Sequence, residues 1–425
     1  MSNVKTDAML AREASYRMSV LSSAEKNAAL ACISKALWEK RDIIFEENKK
    51  DIKEAEKNQV AAPILKRLFF DEKKLQDVID GIKSLVQLED PVGKKLLGTE
   101  LDTDLNLYRM SCPLGVIGIV FESRPDALVQ IASLCLKAGN AVILKGGSEA
   151  FHTNRILFDV ISKAGEESGL PPHWINLWET REQVKEMLTL TEYIDLIIPR
   201  GSNEFVQEIM SHTKIPVLGH ADGVCHLYIH EKAEVEMARK LSVDSKTQYV
   251  SVCNAAETIL VDEAVSSVIL PVLEAALKEK NVILRGCEKT AAVIDVLPVE
   301  DWHYEYLDYE VSIRVVSGID DAIAHINRYG SGHTDAIVTS DETAANIFLS
   351  RVDSGNVFWN CSTRFSDGFR YGFGAEVGVS TSKIHARGPV GLEGLLTYKY
   401  FLYGNGQIVE DYAKSVSHFT HEPIL

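Results

Sequence analysis

The chain has 425 residues, 46% of them hydrophobic and 25% charged, with a formal net charge of -16. That length accommodates two or three domains, and the acidic balance argues against a nucleic-acid partner, so an anionic ligand needs a local cluster of Arg or Lys. No apolar run reaches membrane-spanning length, residues 1–20 lack an apolar signal segment, and the seven cysteines show neither CxxC nor paired spacing; the expectation is a cytoplasmic chain with no membrane partner, no disulfide framework and no metal site.

Residues 5–58 carry Ala, Leu, Glu and Lys at helical spacing, and residues 61–90 continue as helix with Asp71 as an N-cap. Residues 97–110 alternate apolar and polar and read as a hairpin. From Cys112 the pattern becomes α/β: a buried strand over 116–121, a helix over 126–138 ending at Gly139, and a strand over 141–144 followed by Lys145-Gly146-Gly147-Ser148. Strand, helix, strand implies a parallel crossover, and loops at strand C-termini in such sheets bind ligands. Lys145 in that place can meet a ribose or phosphate, although the chain holds no GxGxxG. A helix is expected over 149–168, a strand over 175–178, a helix over 182–188 and a strand over 194–198. Gly201 and Ser202 then open a helix and make an anion-friendly N-terminus. Strands follow over 215–218 and 225–229, joined by a turn through His220, which is either a ligand or a hydrogen-bonded structural residue.

Cys253 lies among small and polar residues ahead of the apolar run Ile259-Leu260-Val261. The spacing predicts a loop-to-helix entry there, where a helix dipole would favour the thiolate that a covalent nucleophile needs. The α/β alternation then repeats, with a strand at 258–261, a helix at 263–279, strands at 281–284 and 311–316, a helix at 320–328 and a strand at 336–338. Two successive α/β domains result, with a boundary near 222–235. Residues 355–378 read as a Gly-rich, Arg-bearing loop suited to an anionic ligand. Residues 397–403 form an aromatic strand with nothing to cover it, and pairing with the 97–110 hairpin of a second subunit is expected.

The order Pro113-Leu-Gly-Val-Ile-Gly, Ala138-Gly-Asn-Ala-Val-Ile-Leu-Lys145, Gly201-Ser202 and Cys253 resembles the aldehyde dehydrogenase superfamily over nearly the whole chain. Five further runs resemble its glutamyl-phosphate-reducing branch: Gly219-His-Ala-Asp-Gly-Val-Cys-His, Cys253-Asn-Ala, Asn327-Arg-Tyr-Gly-Ser-Gly-His-Thr-Asp-Ala-Ile, Ser362-Thr-Arg-Phe-Ser-Asp-Gly-Phe-Arg and Lys383-Ile-His-Ala-Arg-Gly-Pro. The resemblance implies an aldehyde-dehydrogenase-like α/β fold: two Rossmann-like domains plus a β-hairpin oligomerisation flap. Residues 1–96 and 111–225 would bind NADPH, 226–388 would be catalytic, and 97–110 with 389–425 would form the flap of a homodimer or dimer-based oligomer. It implies Cys253 as nucleophile, Lys145 at the adenosine ribose and Glu305 at the nicotinamide ribose. It also implies reduction of L-glutamyl 5-phosphate to L-glutamate 5-semialdehyde in proline biosynthesis, and leaves open a contact with glutamate 5-kinase.

Two departures carry information. Hydrolytic relatives place a water-activating Glu in Glu-Leu-Gly-Gly, where this chain reads Val217-Leu218-Gly219-His220. The superfamily's oxyanion Asn in Trp-Asn-Phe-Pro is replaced in Glu122-Ser123-Arg124-Pro125, so Ser123 is the candidate second donor beside the Cys253 backbone N–H. Ser148 stands where NAD-preferring relatives carry a Glu; without a carboxylate to repel a 2′-phosphate, NADPH is expected, with the adjacent Glu149 acting against it. Arg364, in the superfamily's substrate-anchoring loop, is the first candidate for the substrate's anionic groups, then Arg387, Arg124 and His220. The alternatives are a hydrolytic or CoA-acylating aldehyde dehydrogenase and a non-catalytic dinucleotide-binding protein.

Overall fold

The computed structural model describes residues 4–60, 62–122, 124–201, 203–219, 222–373 and 376–425. The chain opens with five helices, α1 (Val4–Met18), α2 (Ser23–Glu39), α3 (Arg41–Lys57), α4 (Ala62–Leu68) and α5 (Glu72–Gln87). Their starts follow from capping chemistry. Ser22 and Glu25 close a reciprocal capping box on α2, and the Asp71 carboxylate accepts the Lys74 N–H at 2.9 Å. On α5 the buried residues Leu75, Val78, Ile79, Ile82 and Leu85 recur at helical spacing, so one apolar stripe faces the core.

A hairpin follows, β1 (Lys95–Asp102) and β2 (Leu105–Pro113), and then the first α/β unit. It comprises β3 (Val116–Phe121), α6 (Pro125–Lys137), β4 (Ala141–Lys145), α7 (Phe151–Glu167), β5 (Ile175–Trp178), α8 (Arg181–Met187), β6 (Leu196–Arg200) and α9 (Asn203–His212). All six residues of β3 are buried, as expected of a strand covered on both faces. The sheet is parallel throughout, in the order β5-β4-β3-β6. Gly139, at φ 75°, takes the left-handed turn that ends α6, in line with the expected stop. The strand expected over 215–218 shrinks to one parallel bridge, Ile197 to Val217, because Pro216 cannot donate to a ladder.

The second unit runs β7 (Cys225–Ile229), α10 (Val235–Thr247), β8 (Ala256–Asp262), α11 (Ser266–Glu279), β9 (Ile283–Gly286), α12 (Glu288–Ala291), β10 (Leu297–Pro298), β11 (Glu310–Val316), α13 (Ile319–Tyr329), β12 (Thr334–Val338), α14 (Glu342–Arg351) and β13 (Asn356–Trp359). Its seven strands are all parallel, in the order β10-β9-β11-β8-β7-β12-β13. The stretch 355–378, expected as loop, thus begins with the edge strand β13 and also contains a 3-10 turn over Thr363–Phe365.

Beyond it, β14 (Gly378–Ser380) and β15 (Gly388–Val390) pair with each other, and Val377, Val390, Leu392, Leu395 and Leu396 bury in the core of the first unit. The chain therefore returns to the first sheet. It ends with β16 (Leu396–Tyr403), α15 (Val409–Ala413) and β17 (Glu422–Pro423). Here the sequence expectation is corrected. β16 pairs with β2 of its own chain, antiparallel from Leu396 opposite Pro113 to Tyr403 opposite Asn106, giving a sheet β16-β2-β1-β17. The chain can reach its own hairpin because β16 follows directly on the segment docked against the first core. Among the described residues no helix is long and apolar enough to cross a membrane, and no group of three or more His, Cys, Asp or Glu could hold a metal ion.

Candidate active site

Cys253 sits in a turn between the C-terminus of α10 and the start of β8. No helix begins there, so the helix-dipole support expected for its thiolate is absent: the apolar run after it is consumed at once by the central strand β8. The turn is instead held by short contacts. The Ala255 N–H bonds the Val252 oxygen at 3.1 Å, the Cys225 thiol donates to the Cys253 carbonyl at 3.1 Å, and Asn254 Nδ2 donates to the Ser366 oxygen at 2.7 Å. Gly223 is obligatory by proximity, since a Cβ there would lie 2.3 Å from the Cys253 oxygen.

Burial, reinforced by the Glu305 and Glu376 carboxylates, pushes the Cys253 thiol up to about 12; Arg200 and the residue's own backbone N–H pull the other way. Arg200, at the C-terminal end of β6, has its guanidinium pushed down by burial and faces the charges of Glu376, Arg124 and Cys253. Burial raises Glu376 while the Gly368 N–H, bonded to it at 2.8 Å, and Arg200 lower it. Arg364 is 8% exposed, donates from Nε to Gln248 at 3.0 Å, and keeps a buried Nη1 with no hydrogen-bond partner. Burial lowers its pKa and the Cys253 charge opposes that shift.

The second carboxylate that acts on the thiol is Glu305. The segment carrying it is stitched to the thiol's segment at one residue, Leu307, whose N–H bonds Glu257 Oε1 at 3.4 Å and whose carbonyl accepts from Ser251 Oγ at 3.3 Å. Glu257 in turn forms a fully buried ion pair with Lys246, at 2.7 Å. Burial pushes Glu257 up to about 7 and Lys246 down, and each partner's charge opposes both shifts.

Lys145 ends β4, half-buried, with its pKa lowered by burial and raised by Glu149 and Glu122. Ser148 is exposed, and Glu149 folds back so that its Oε1 would lie 2.1 Å from a Cβ on Gly147. Gly201 follows β6, where a Cβ would sit 2.9 Å from Phe205 and 3.0 Å from Glu122. Lys145 and Gly201 therefore stand at the C-terminal ends of parallel strands, with Glu305 beside the thiol; this donor set fits a dinucleotide laid across the crevice. A cavity of about 510 Å³ lies between α5, α6 and the side chains of Asp367, Phe369 and Glu376, and Arg124, Asp126 and Arg200 also line it. Two of these lining residues, Arg200 and Glu376, also act on the charge of the thiol.

Of the residues singled out in the sequence, Cys253, Glu305 and Arg364 converge, and Arg124 reaches the same place through Arg200. Arg387 does not belong with them. Its guanidinium bonds Asp353 Oδ1 at 2.9 Å, the Asp353 carbonyl at 2.8 Å and the Thr381 carbonyl at 3.3 Å, holding two loops together. Ser123, Ser202 and His220 lie outside the described residues. Sequence reasoning passed over Arg200, although the rule applied to Lys145, a cation ending a buried strand, would have found it. Glu376 carries no comparable signal, because Arg200 is distant from it in sequence, and the Lys246–Glu257 pair carries none because it depends on how the end of α10 packs against β8.

The aldehyde dehydrogenase family model matches residues 3–290. The gamma-glutamyl phosphate reductase of Acetivibrio thermocellus is 61% identical over 412 residues, 96% of this chain and 96% of that protein. The crystal structure of gamma-glutamyl phosphate reductase from Thermotoga maritima superposes with a TM-score of 0.94 at 37% identity, over 96% of this chain and 100% of that one. An acetylating aldehyde dehydrogenase from Geobacillus thermoglucosidasius, at 17% identity and a TM-score of 0.64, over 95% of this chain and 97% of that one, shares the fold. With two parallel sheets flanking a cysteine turn and relatives matched end to end, the chain belongs to the aldehyde dehydrogenase family, in the branch of the gamma-glutamyl phosphate reductases.

Proposed function

We propose that this chain reduces L-glutamyl 5-phosphate to L-glutamate 5-semialdehyde and phosphate, with NADPH, through a thioester on Cys253. The observation that carries the reading is the thiol's setting: it is buried among the charges of Arg200, Glu305 and Glu376, and its own charge is felt at Arg364. Sulfur attack on the acyl carbon forms the thioester and expels phosphate, a good leaving group that takes up the thiol proton, into the field of the two guanidiniums. The Cys253 backbone N–H would stabilise the oxyanion, since Asn254 Nδ2 is committed to the Ser366 carbonyl. Lys145 and Gly201 would hold the adenosine end of NADPH and Glu305 its nicotinamide ribose. Bound NADPH would supply the hydride that reduces the thioester carbonyl. The hemithioacetal then collapses, returning the sulfur and freeing the semialdehyde. Ser148 supports NADPH over NADH, as it offers no carboxylate to a 2′-phosphate.

The domain roles follow this division, with residues 1–96 and 111–225 for the cofactor and 226–388 for the thiol. The sheet built by 97–110 and 389–425 would join two copies into a homodimer, and a cytoplasmic setting suits a chain with no membrane-spanning helix among its described residues. No carboxylate stands at Val217-Leu218-Gly219 to activate water. The reverse oxidation of the semialdehyde with NADP⁺ should therefore run only with phosphate or arsenate present, and faster with NADP⁺ than with NAD⁺. A steady phosphate-independent rate yielding free glutamate would place the chain among the hydrolytic dehydrogenases instead.

A further inference from the structure

Arg364 is buried, yet its side chain pairs with no carboxylate among the described residues. Its Nε donates at 3.0 Å to the side-chain oxygen of Gln248, a neutral amide, and its Nη1 is buried with no hydrogen-bond partner. Other arginines of the chain are neutralised: Arg12 by Asp195 at 2.7 Å, Arg314 by Asp321 at 3.0 Å and Arg387 by Asp353 at 2.9 Å. A buried guanidinium held only by a neutral partner keeps its charge for an anion that arrives from outside the protein. The turn that carries Arg364 is fastened at both ends to the segment of the nucleophile. Ser245 Oγ, on α10, accepts the Thr363 N–H at 3.2 Å, and the Ser366 carbonyl accepts from Asn254 Nδ2 at 2.7 Å. Gln248 follows the last turn of α10, its own N–H bonded to the Asp244 carbonyl at 3.2 Å, and stands five positions before Cys253.

Arginine carries donors only, so the Gln248 atom that faces Nε must be the amide oxygen. This fixes the orientation of the amide. Oε1 is spent on Arg364, and Nε2, with no partner among the described residues, keeps two donor hydrogens on an exposed residue. We propose that Gln248 is a second donor of the phosphate site: it fixes the Arg364 guanidinium through Oε1 and donates from Nε2 to the phosphate that Arg364 binds. The inference rests on the reductase reading above, in which phosphate leaves into the field of Arg200 and Arg364. A guanidinium and an amide bonded to each other hold their remaining N–H groups close together, which suits a tetrahedral anion with several acceptor oxygens.

The reverse reaction isolates this contact, because inorganic phosphate is there a substrate of its own. Oxidation of L-glutamate 5-semialdehyde with NADP⁺ is followed while phosphate is varied. Gln248→Ala should raise the KM for phosphate about tenfold, the loss expected for one hydrogen bond to a charged group. The KM for the semialdehyde should stay near the wild-type value, which also serves as the folding control. Gln248→Glu separates contact from support. Its carboxylate still accepts from Arg364 Nε, but it offers no donor and repels phosphate, so its KM for phosphate should exceed that of Gln248→Ala. A value at or below that of Gln248→Ala would show that Gln248 merely supports Arg364, and overturns the proposal. An unchanged KM for phosphate in Gln248→Ala, or an equal rise in the KM for both substrates, overturns it too and leaves the reductase reading standing. A wild-type protein with no phosphate-dependent oxidation of the semialdehyde overturns the reading, and the proposal with it.

Discussion

Cys253 lies in opposed fields, and burial with two carboxylates prevails over one guanidinium in the unliganded protein. The thiol is then the resting form at neutral pH. Alkylation of Cys253 by iodoacetamide should rise about tenfold per pH unit from pH 7 to 10, because only the thiolate reacts and its fraction grows tenfold per unit below the pKa. Glu376→Gln removes a negative neighbour, lowers that pKa and should speed alkylation at pH 8; Arg200→Met should slow it. Peptide mapping of the modified cysteine reads both, and a plateau near neutral pH in the wild-type protein would show that the thiol is already ionised. Arg364 offers a second test at this scale. Its Nη1 is buried without a partner and its charge is felt at Cys253. A charge-assisted bond to an anion contributes about 1.5–3 kcal/mol, so Arg364→Ala should lose about tenfold or more in kcat/KM. Unchanged kinetics in a folded variant would remove Arg364 from the site.

Between elements, the 305–308 segment depends on β8 and α10. Leu307 adopts φ 53°, unusual for a branched residue, and both its backbone polar groups are bonded to the segment that carries the thiol. The Lys246–Glu257 pair beneath it is wholly buried. Breaking it from one side strands a charge: Glu257→Ala should cost about 3–5 kcal/mol in urea unfolding, whereas replacing both partners by apolar residues of similar size should be near neutral. The doubly apolar Lys246→Met/Glu257→Leu protein should therefore fold, yet it loses the acceptor that fixes Leu307. Its KM for NADPH should rise more than its KM for the acyl phosphate, since Glu305 rides on that segment. Equal effects on both constants would count against a positioning role.

For the whole molecule, the four-stranded sheet of β16, β2, β1 and β17 ends on β16, whose Tyr398, Tyr400 and Leu402 are exposed. Among the described residues β16 has one hydrogen-bonded strand neighbour, β2. An apolar, unpaired edge of eight residues is an open template for another chain. Sedimentation velocity should show a dimer for the wild-type chain and a monomer for Tyr400→Glu/Leu402→Lys, with helix content retained. A wild-type monomer, or a dimer indifferent to both changes, would exclude this edge as the joining surface.

The sequence by itself determined what depends on neighbours along the chain. Hydrophobic periodicity and capping residues marked most of the parallel strands, most of the helices between them and the Asp71 cap, while the edge strands β10 and β13 were missed; the run around Cys253 marked the nucleophile candidate. Tertiary structure decided what depends on residues brought together from far apart. Arg200 and Glu376 lie 176 positions apart and yet act on one thiol; Arg387 is taken up by Asp353; β16 finds its partner in its own hairpin. Local spacing cannot encode these outcomes, because burial and charge pairing are set by which strands become neighbours in the sheets.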